Sequence, residues 1–409
     1  MVRPAWWSRA SRSRARGLLV AGVLLGATCT GCTGGSGGAT GTGAKAAGGG
    51  KVTSSAAAVS LATVQVQPGQ GATGVAPADP VVVTAAGGKL SDVVVVSSDG
   101  GKLRGTFDAD HQRWQSVGKL AFGATYRVTA AAANVDGKPT TAATSFTTAK
   151  AAKLVFPAVS PLRGTTVGVG MPIRVYLDQP VTDRKAVEAH LKVTASVPTE
   201  GAWRWFSTSE LHWRPAKYWK AGTDVALEVT LRGVRLGDGV WGGVNADRHI
   251  EFSVGAAHVS VADARSHVMK VYTNGRLVKS IPVSLGKEVP GRYTKSGVHL
   301  VVDKNRVKTM DSTTFGLALD AGGYRANVEW ATRISNNGEF VHSAPWSVAQ
   351  QGHSNVSHGC VNASPANAQW FFNYSQVGDV VNVVGTPVKL GPKDGDIYDW
   401  TVPWSAWAN

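Results

Sequence analysis

Charge, cysteine and long apolar runs are all scarce in this chain. Only 17% of its 409 residues are charged, while Gly, Ala, Thr and Val are plentiful, a mixture that disfavours long helices and favours short strands and turns. Beyond residue 27 no stretch is apolar enough to cross a membrane, which excludes a helical membrane bundle. Three cysteines are too few for a disulfide framework, and no second CxxC accompanies them to suggest a zinc ribbon. Acids are outnumbered by bases, 27 to 42, for a net charge of +15. The bases are scattered and no recognition motif accompanies them, so nucleic acid is not the expected partner.

What is present begins with a leader. Arg3, Arg9, Arg12, Arg14 and Arg16 precede the apolar stretch at residues 17–27, which has the length of a signal-peptide core and is too short to span a bilayer comfortably. Thr30-Gly31-Cys32 follows and resembles the lipobox of bacterial lipoproteins, with Cys29 in place of the usual Leu or Val three positions earlier. The resemblance implies lipidation of Cys32 after loss of residues 1–31. A plain secretory signal with a spare cysteine is the other reading. Either way Cys360 is left as a single unpaired thiol. Removal of the leader arginines leaves a charge of about +10, suited to anionic cell-wall polymers or lipid headgroups.

Residues 32–50 are a Gly/Ala/Ser/Thr tract without apolar mass and are expected to act as a flexible tether. Residues 51–150 carry short β-prone runs at 60–67, 81–84, 93–97, 103–107 and 126–130, with Asp99-Gly100-Gly101 and Asp136-Gly137 as turns. That spacing predicts an immunoglobulin-like sandwich. Asp108, Asp110 and His111 are read as a hairpin turn in preference to a metal site. Residues 151–255 repeat the grammar, with strands expected at 173–177, 191–194, 203–206, 211–214, 225–231 and 249–254. The aromatics around Trp203, Trp205, Trp213 and Trp219 are read as core in preference to a sugar platform. Residues 256–385 form a third strand-rich unit, in which Asn274-Gly275 marks a two-residue hairpin between 268–273 and 277–282. One short helix is expected over 365–374, with Ser364 as its cap, Pro365 in its first turn, and Ala368, Phe371 and Phe372 facing the core. Residues 386–409, rich in Trp, are expected to pack back on a neighbouring domain.

The chemistry lies in His342-Ser343-Ala344-Pro345-Trp346, Gly352-His353 and Ser357-His358-Gly359-Cys360-Val361-Asn362. A thiol becomes a nucleophile as its thiolate, which a nearby imidazole can generate or pair with. Gly359 lets the chain turn beside the sulfur, and the Gly359 and Cys360 amides are candidates to hold an oxyanion. Zinc bound by His342, His353, His358 and Cys360, a buried structural thiol, and a cysteine peptidase remain the alternatives to acyl transfer.

His342 followed by Ser-His-Gly-Cys-x-Asn resembles the signature of the L,D-transpeptidase (YkuD-like) family. Met310-Asp311-Ser312-Thr313-Thr314-Phe315-Gly316, Gly323-Tyr324-Arg325 and Asn367-Ala368-Gln369-Trp370-Phe371 resemble its class with two immunoglobulin-like modules. The resemblance implies a mainly β chain: two sandwiches, a β-rich catalytic domain with one short helix, and a Trp-rich tail. It implies Cys360 as nucleophile, His342 as base, Ser343 orienting the imidazole through its carbonyl, and His358 and Gly359 shaping the site. Tyr324, Asn337, Gly338, Asn362, Met310, Phe315 and Trp346 would contact substrate. Related enzymes often carry Tyr at Phe315, so the lid here loses one hydroxyl. The implied substrates are a donor stem tetrapeptide and the diaminopimelate amine of an acceptor stem, joined 3→3, without metal or organic cofactor. Attack by water would make the chain an L,D-carboxypeptidase, and an inactive wall-binding lipoprotein is a further reading. Carbapenem β-lactams are implied as covalent inhibitors, and the outer face of the cytoplasmic membrane as the location.

Overall fold

The computed structural model describes residues 60–409 except Leu317 and Asp396. The expected leader, Cys29, Cys32 and the Gly-rich tract lie outside the described residues, as does the side chain of Phe315. No described helix is long and apolar enough to cross a membrane.

The first sandwich follows from strict alternation. Arg113–Ser116 and Thr125–Asn134 point every second residue inward, so Trp114, Tyr126, Val128, Ala130 and Phe146 fill the space between two four-stranded sheets. The single strand expected at 103–107 is two: Lys102–Leu103 pairs in one sheet and Gly105–Phe107 in the other. Gly105 permits the crossing, because a Cβ there would sit 2.1 Å from the Trp114 ring. Asp108 closes the following hairpin by accepting hydrogen bonds from the Gln112 and Arg113 amides, so the turn reading of this stretch holds. Pro139–Thr147 is a nine-residue strand that the sequence reading missed.

In the second sandwich, sheets built on Ile173–Leu177 with Glu210–Pro215 and on Asp224–Val229 with Arg248–Val254 face each other. Trp213 and Trp219 stack within the core, and Trp203 and Trp205 pack against it half-buried, so these aromatics are core. The Asp183-capped helix Arg184–Ala189 was not anticipated.

The third unit has a five-stranded sheet with Val380–Val384 between His258–Asp263 and Gly297–Leu300. A four-stranded sheet runs Asp303–Asp311, Arg325–Arg333, Phe340–Ser343, Val361–Ala363. Asn274 and Gly275 both have positive φ, as the two-residue hairpin requires. Ser364 caps the helix Pro365–Tyr374 by accepting from the Asn367 amide. Ala368 and Phe371 are buried as expected, but Phe372 is half-buried, edge-on to Trp330 and covered by the Lys304 ammonium. The helix is too narrow to bury both neighbouring phenylalanines on one face.

The tail does pack on a neighbour, the second sandwich. The Arg214 guanidinium lies 4.5 Å from the ring centroids of both Trp400 and Trp407 and donates to the Val402 carbonyl at 2.7 Å. His212 is held between Asp399 at 2.8 Å and Glu210 at 3.0 Å. Burial alone would lower its pKa, but the two carboxylates outweigh that and raise it. The second sandwich and the five-stranded sheet also share one core, in which Val298, Leu300 and Val380 pack with the sandwich residues.

Trp407 is fully buried and donates to the Ala202 carbonyl at 2.9 Å. Trp407→Ala is expected to cost about 3–5 kcal/mol. In scanning calorimetry the second sandwich and catalytic domain should shift down together. A shift confined to one of two separate transitions would contradict the shared core.

Candidate active site

Strand register builds the site. Phe340–Ser343 runs parallel to Val361–Ala363, with Val341 opposite Val361 and His342 opposite Asn362. Val341, Val361 and Ala363 enter the catalytic core. The alternate face therefore carries His342 and Asn362, and Cys360, two residues before Asn362, joins them. All three, with Met310, Tyr324, Trp346 and His358, line a cleft of about 480 Å³.

Each polar group is fixed. His342 Nδ1 lies 2.8 Å from the Ser343 carbonyl oxygen; a carbonyl can only accept, so Nδ1 carries the hydrogen and Nε2 is the free base. Ser357 Oγ donates to the Cys360 carbonyl at 2.6 Å and accepts from the Gly359 amide at 3.1 Å. The Gly359 N–H is therefore engaged by Ser357 in this structure and is not open to an oxyanion, contrary to expectation. The Cys360 sulfur faces the Gly338 carbonyl at 3.7 Å. Asn362 donates to Ser347 Oγ at 3.0 Å. Asn337 donates to Asp394 of the tail at 2.9 Å, so its amide nitrogen is held by protein. The Tyr324 and His358 rings meet at 4.8 Å, and Trp346, 61% exposed, stands over the cleft with its ring 6.0 Å from that of His342.

Burial sets the protonation state. It pushes the Cys360 thiol up to about 12 and His342 down to about 4, so the resting pair is a thiol and a neutral imidazole rather than an ion pair. Burial also lowers His358 and raises Tyr324.

Met310 and Tyr324 are shared with a second cavity of about 340 Å³ that also includes Gly338, Asn337 and Lys308. Between those two residues run the short turns Ser312–Phe315 and Leu319–Ala321, where the lid was expected. Of the residues considered as zinc ligands, His353 is exposed and absent from the cleft lining. Among the described residues no group of three or more His, Cys, Asp or Glu could hold a metal. The sequence reading missed Ser347 and Gln350 in the cleft wall. The 3-10 turn Pro345–Ser347, which carries Ser347 and precedes Gln350, is signalled only by Pro345.

Comparison with known proteins gives the family. Residues 257–383 match the L,D-transpeptidase catalytic domain and residues 72–235 a bacterial Ig domain. L,D-transpeptidase 2 of Mycobacterium tuberculosis is 40% identical over 82% of this chain and 82% of its own. L,D-transpeptidase 5 of the same species is 33% identical over 84% of this chain and 75% of its own. Among solved structures, an L,D-transpeptidase from Mycobacterium smegmatis is 36% identical, with a TM-score of 0.47 over 56% of this chain and 99% of that one. The chain belongs to the L,D-transpeptidase family.

Two predictions follow from the geometry. Gly359 has φ +129, yet a Cβ there would meet nothing closer than 3.7 Å. Gly359→Ala therefore has room but not conformation, and urea melts should show a loss of about 1–3 kcal/mol; an unchanged midpoint would refute the strain. For His342, the folded state resists the proton that the unfolded chain accepts below about 6.5. Stability should therefore fall between about pH 6.5 and 4 by up to roughly 3 kcal/mol from this group. Denaturant melts of His342→Gln across that window should have a shallower acid slope than wild type, and parallel slopes would count against a buried neutral imidazole.

Proposed function

We propose that the protein joins peptidoglycan stem peptides by transpeptidation through a thioester on Cys360. The observation that carries this reading is one thiol and one Nε2-free imidazole lining the same cleft, in a chain of the L,D-transpeptidase family.

The sulfur attacks the carbonyl carbon of diaminopimelate at position three of a donor tetrapeptide. As the C–S bond forms, His342 Nε2 takes the thiol proton. It then delivers that proton to the nitrogen of the departing D-alanine as the C–N bond breaks. A neutral imidazole suits the first half of this exchange, since general base catalysis needs an empty nitrogen. The side-chain amine of a second stem's diaminopimelate then attacks the thioester. A 3→3 amide forms, the C–S bond breaks, and the amine's proton passes through His342 back to sulfur. Ser343 positions the imidazole through its carbonyl, and the Cys360 amide is left to receive the oxyanion. Met310, Tyr324, Trp346, Asn362 and the Asn337-Gly338 turn lie where a peptide in the two cavities would meet them, and His358 supports Tyr324. Phe315 is assigned to the lid by the resemblance alone. Carbapenems would acylate the same sulfur; a related transpeptidase 38% identical to this chain is known in complex with imipenem. Lipidation of Cys32 would hold the enzyme on the outer face of the cytoplasmic membrane, and along the chain both sandwiches come between Cys32 and Cys360.

Mass spectrometry of the protein incubated with a disaccharide tetrapeptide tests the reaction, with Cys360→Ala alongside. A dimer lacking one D-alanine, absent in the variant, is the expected product. Tripeptide alone would mean a carboxypeptidase. Neither product nor thioester, with substrate still bound, would mean a binding protein.

A further inference from the structure

A buried acid and a buried base meet behind the thiol, and no step above uses them. Glu339 lies between Gly338, whose carbonyl faces the sulfur, and the strand Phe340–Ser343. His299 comes from Gly297–Leu300 in the other sheet. They are 5% and 0% exposed. Both are tied to one residue. Glu339 Oε1 accepts from the Lys295 amide at 2.7 Å, and His299 Nε2 lies 2.8 Å from the Lys295 carbonyl. That carbonyl can only accept, so Nε2 carries a hydrogen, and in a neutral ring Nδ1 is a bare lone pair. Opposite Nδ1, at 3.5 Å, stands Glu339 Oε2. Neither atom has another hydrogen-bond partner among the described residues.

Two acceptors facing each other in the interior would each be left desolvated without a donor. One proton between them removes the conflict. We propose that Glu339 and His299 share that proton as an uncharged pair, a carboxyl O–H donated to Nδ1, and that the pair positions Cys360 and keeps negative charge from its sulfur. Neither residue touches substrate; they are positioning residues. The ring then closes from the Lys295 amide through carboxyl and imidazole to the Lys295 carbonyl, bracing the turn whose Gly338 carbonyl meets the thiol.

The surroundings favour the uncharged form. Burial raises the Glu339 carboxyl to about 8 and lowers the His299 imidazole. Asp394 of the tail adds to the rise of Glu339, against the opposing effect of the Lys295 ammonium and the Ser335 hydroxyl. The Lys295 and Ile334 carbonyls and Asp394 also act on His299, where they pull the other way from burial and lose. Glu339 in turn acts on the thiol, where its charge would add to the rise caused by burial. Loss of the shared proton at alkaline pH would therefore place a carboxylate behind the sulfur when a thiolate must form.

This inference rests on Cys360 being the nucleophile, and alkylation separates the two claims because it needs no peptide substrate. The rate of Cys360 carboxamidomethylation by iodoacetamide would be followed on the full chain from pH 6 to 10, read on the Cys360 peptide by mass spectrometry. Wild type should show a break near pH 8, above which the rate climbs less steeply. Glu339→Gln keeps the acceptor for Lys295 and offers an N–H to Nδ1; it should lose the break and react about threefold to tenfold faster at pH 9. Superimposable profiles would overturn the proposal. If Glu339→Gln does not fold, nitrogen NMR of histidine-labelled wild type decides, with the resonance assigned by its loss in His299→Gln. A neutral ring protonated at Nε2 is expected at pH 7, and an imidazolium or an Nδ1-protonated ring would overturn it. Dimer formation with superimposable profiles would sink the pair and leave transpeptidation standing. The expected profiles without any peptide product would do the reverse.

Discussion

The structure depends on a backbone approach that admits no side chain. Gly168 donates to the Val377 carbonyl at 2.8 Å and Gly170 to the Gly378 carbonyl at 2.9 Å, stitching the second sandwich to the start of strand Val380–Val384. A Cβ on Gly168 would lie 2.1 Å from the Asp379 nitrogen, so no larger residue fits without moving backbone. Asp379 then accepts from Gln376 at 2.8 Å and meets His258 at 3.0 Å, which fixes where the central strand begins. Leu300 and Val380 can pack into the sandwich core only because the two layers come this close. The sandwich is thus half of the catalytic domain's support, not an appendage to it.

The tail carries that support to the reacting atoms. Arg214 gathers three tryptophans of the tail on the sandwich surface. Earlier in the same tail, Asp394 holds Asn337, next to the Gly338 carbonyl that faces the thiol. A guanidinium among aromatic faces, with its two terminal nitrogens donating to the Pro215 and Val402 carbonyls, keeps its charge without a carboxylate in contact. The second sandwich, far from Cys360 along the chain, therefore bears on the turn beneath it through only a few contacts.

The sequence made legible whatever is local or alternating. Asn274-Gly275 and Ser364-Pro365 each announce their element within two residues, because turn and cap chemistry need particular side chains. The His342 and Cys360 stretches were legible because a thiol among histidines has few structural uses, and the parallel register explains why residues eighteen apart converge on one face. Strand lengths were less legible. Pro139–Thr147 is built from Ala and Thr, whose pattern is too weakly apolar to stand out. The split of residues 103–107 depends on Trp114, which lies beyond the reach of local propensity but is adjacent in the sheet. Phe372 looked like core because it neighbours Phe371, yet Lys304 and Trp330 from another strand offer it a better surface.

The engagement of Gly359 and the pairing of Glu339 with His299 could not be read from sequence for a deeper reason. Both are consequences of closure: a hydroxyl three residues from its carbonyl partner, and two titratable groups forty positions apart brought to 3.5 Å. Burial then reverses what composition suggests. A basic chain with histidines around a cysteine invites the picture of a thiolate-imidazolium pair. The cleft removes water from both groups, and in a medium of low polarity the neutral partners are the stable ones. In the proposed reaction charge separation is deferred to the moment when a peptide carbonyl can accept the electrons, and the resting site offers no standing thiolate to an alkylating agent. A site made reactive by its substrate, rather than before it, suits a thiol that must wait.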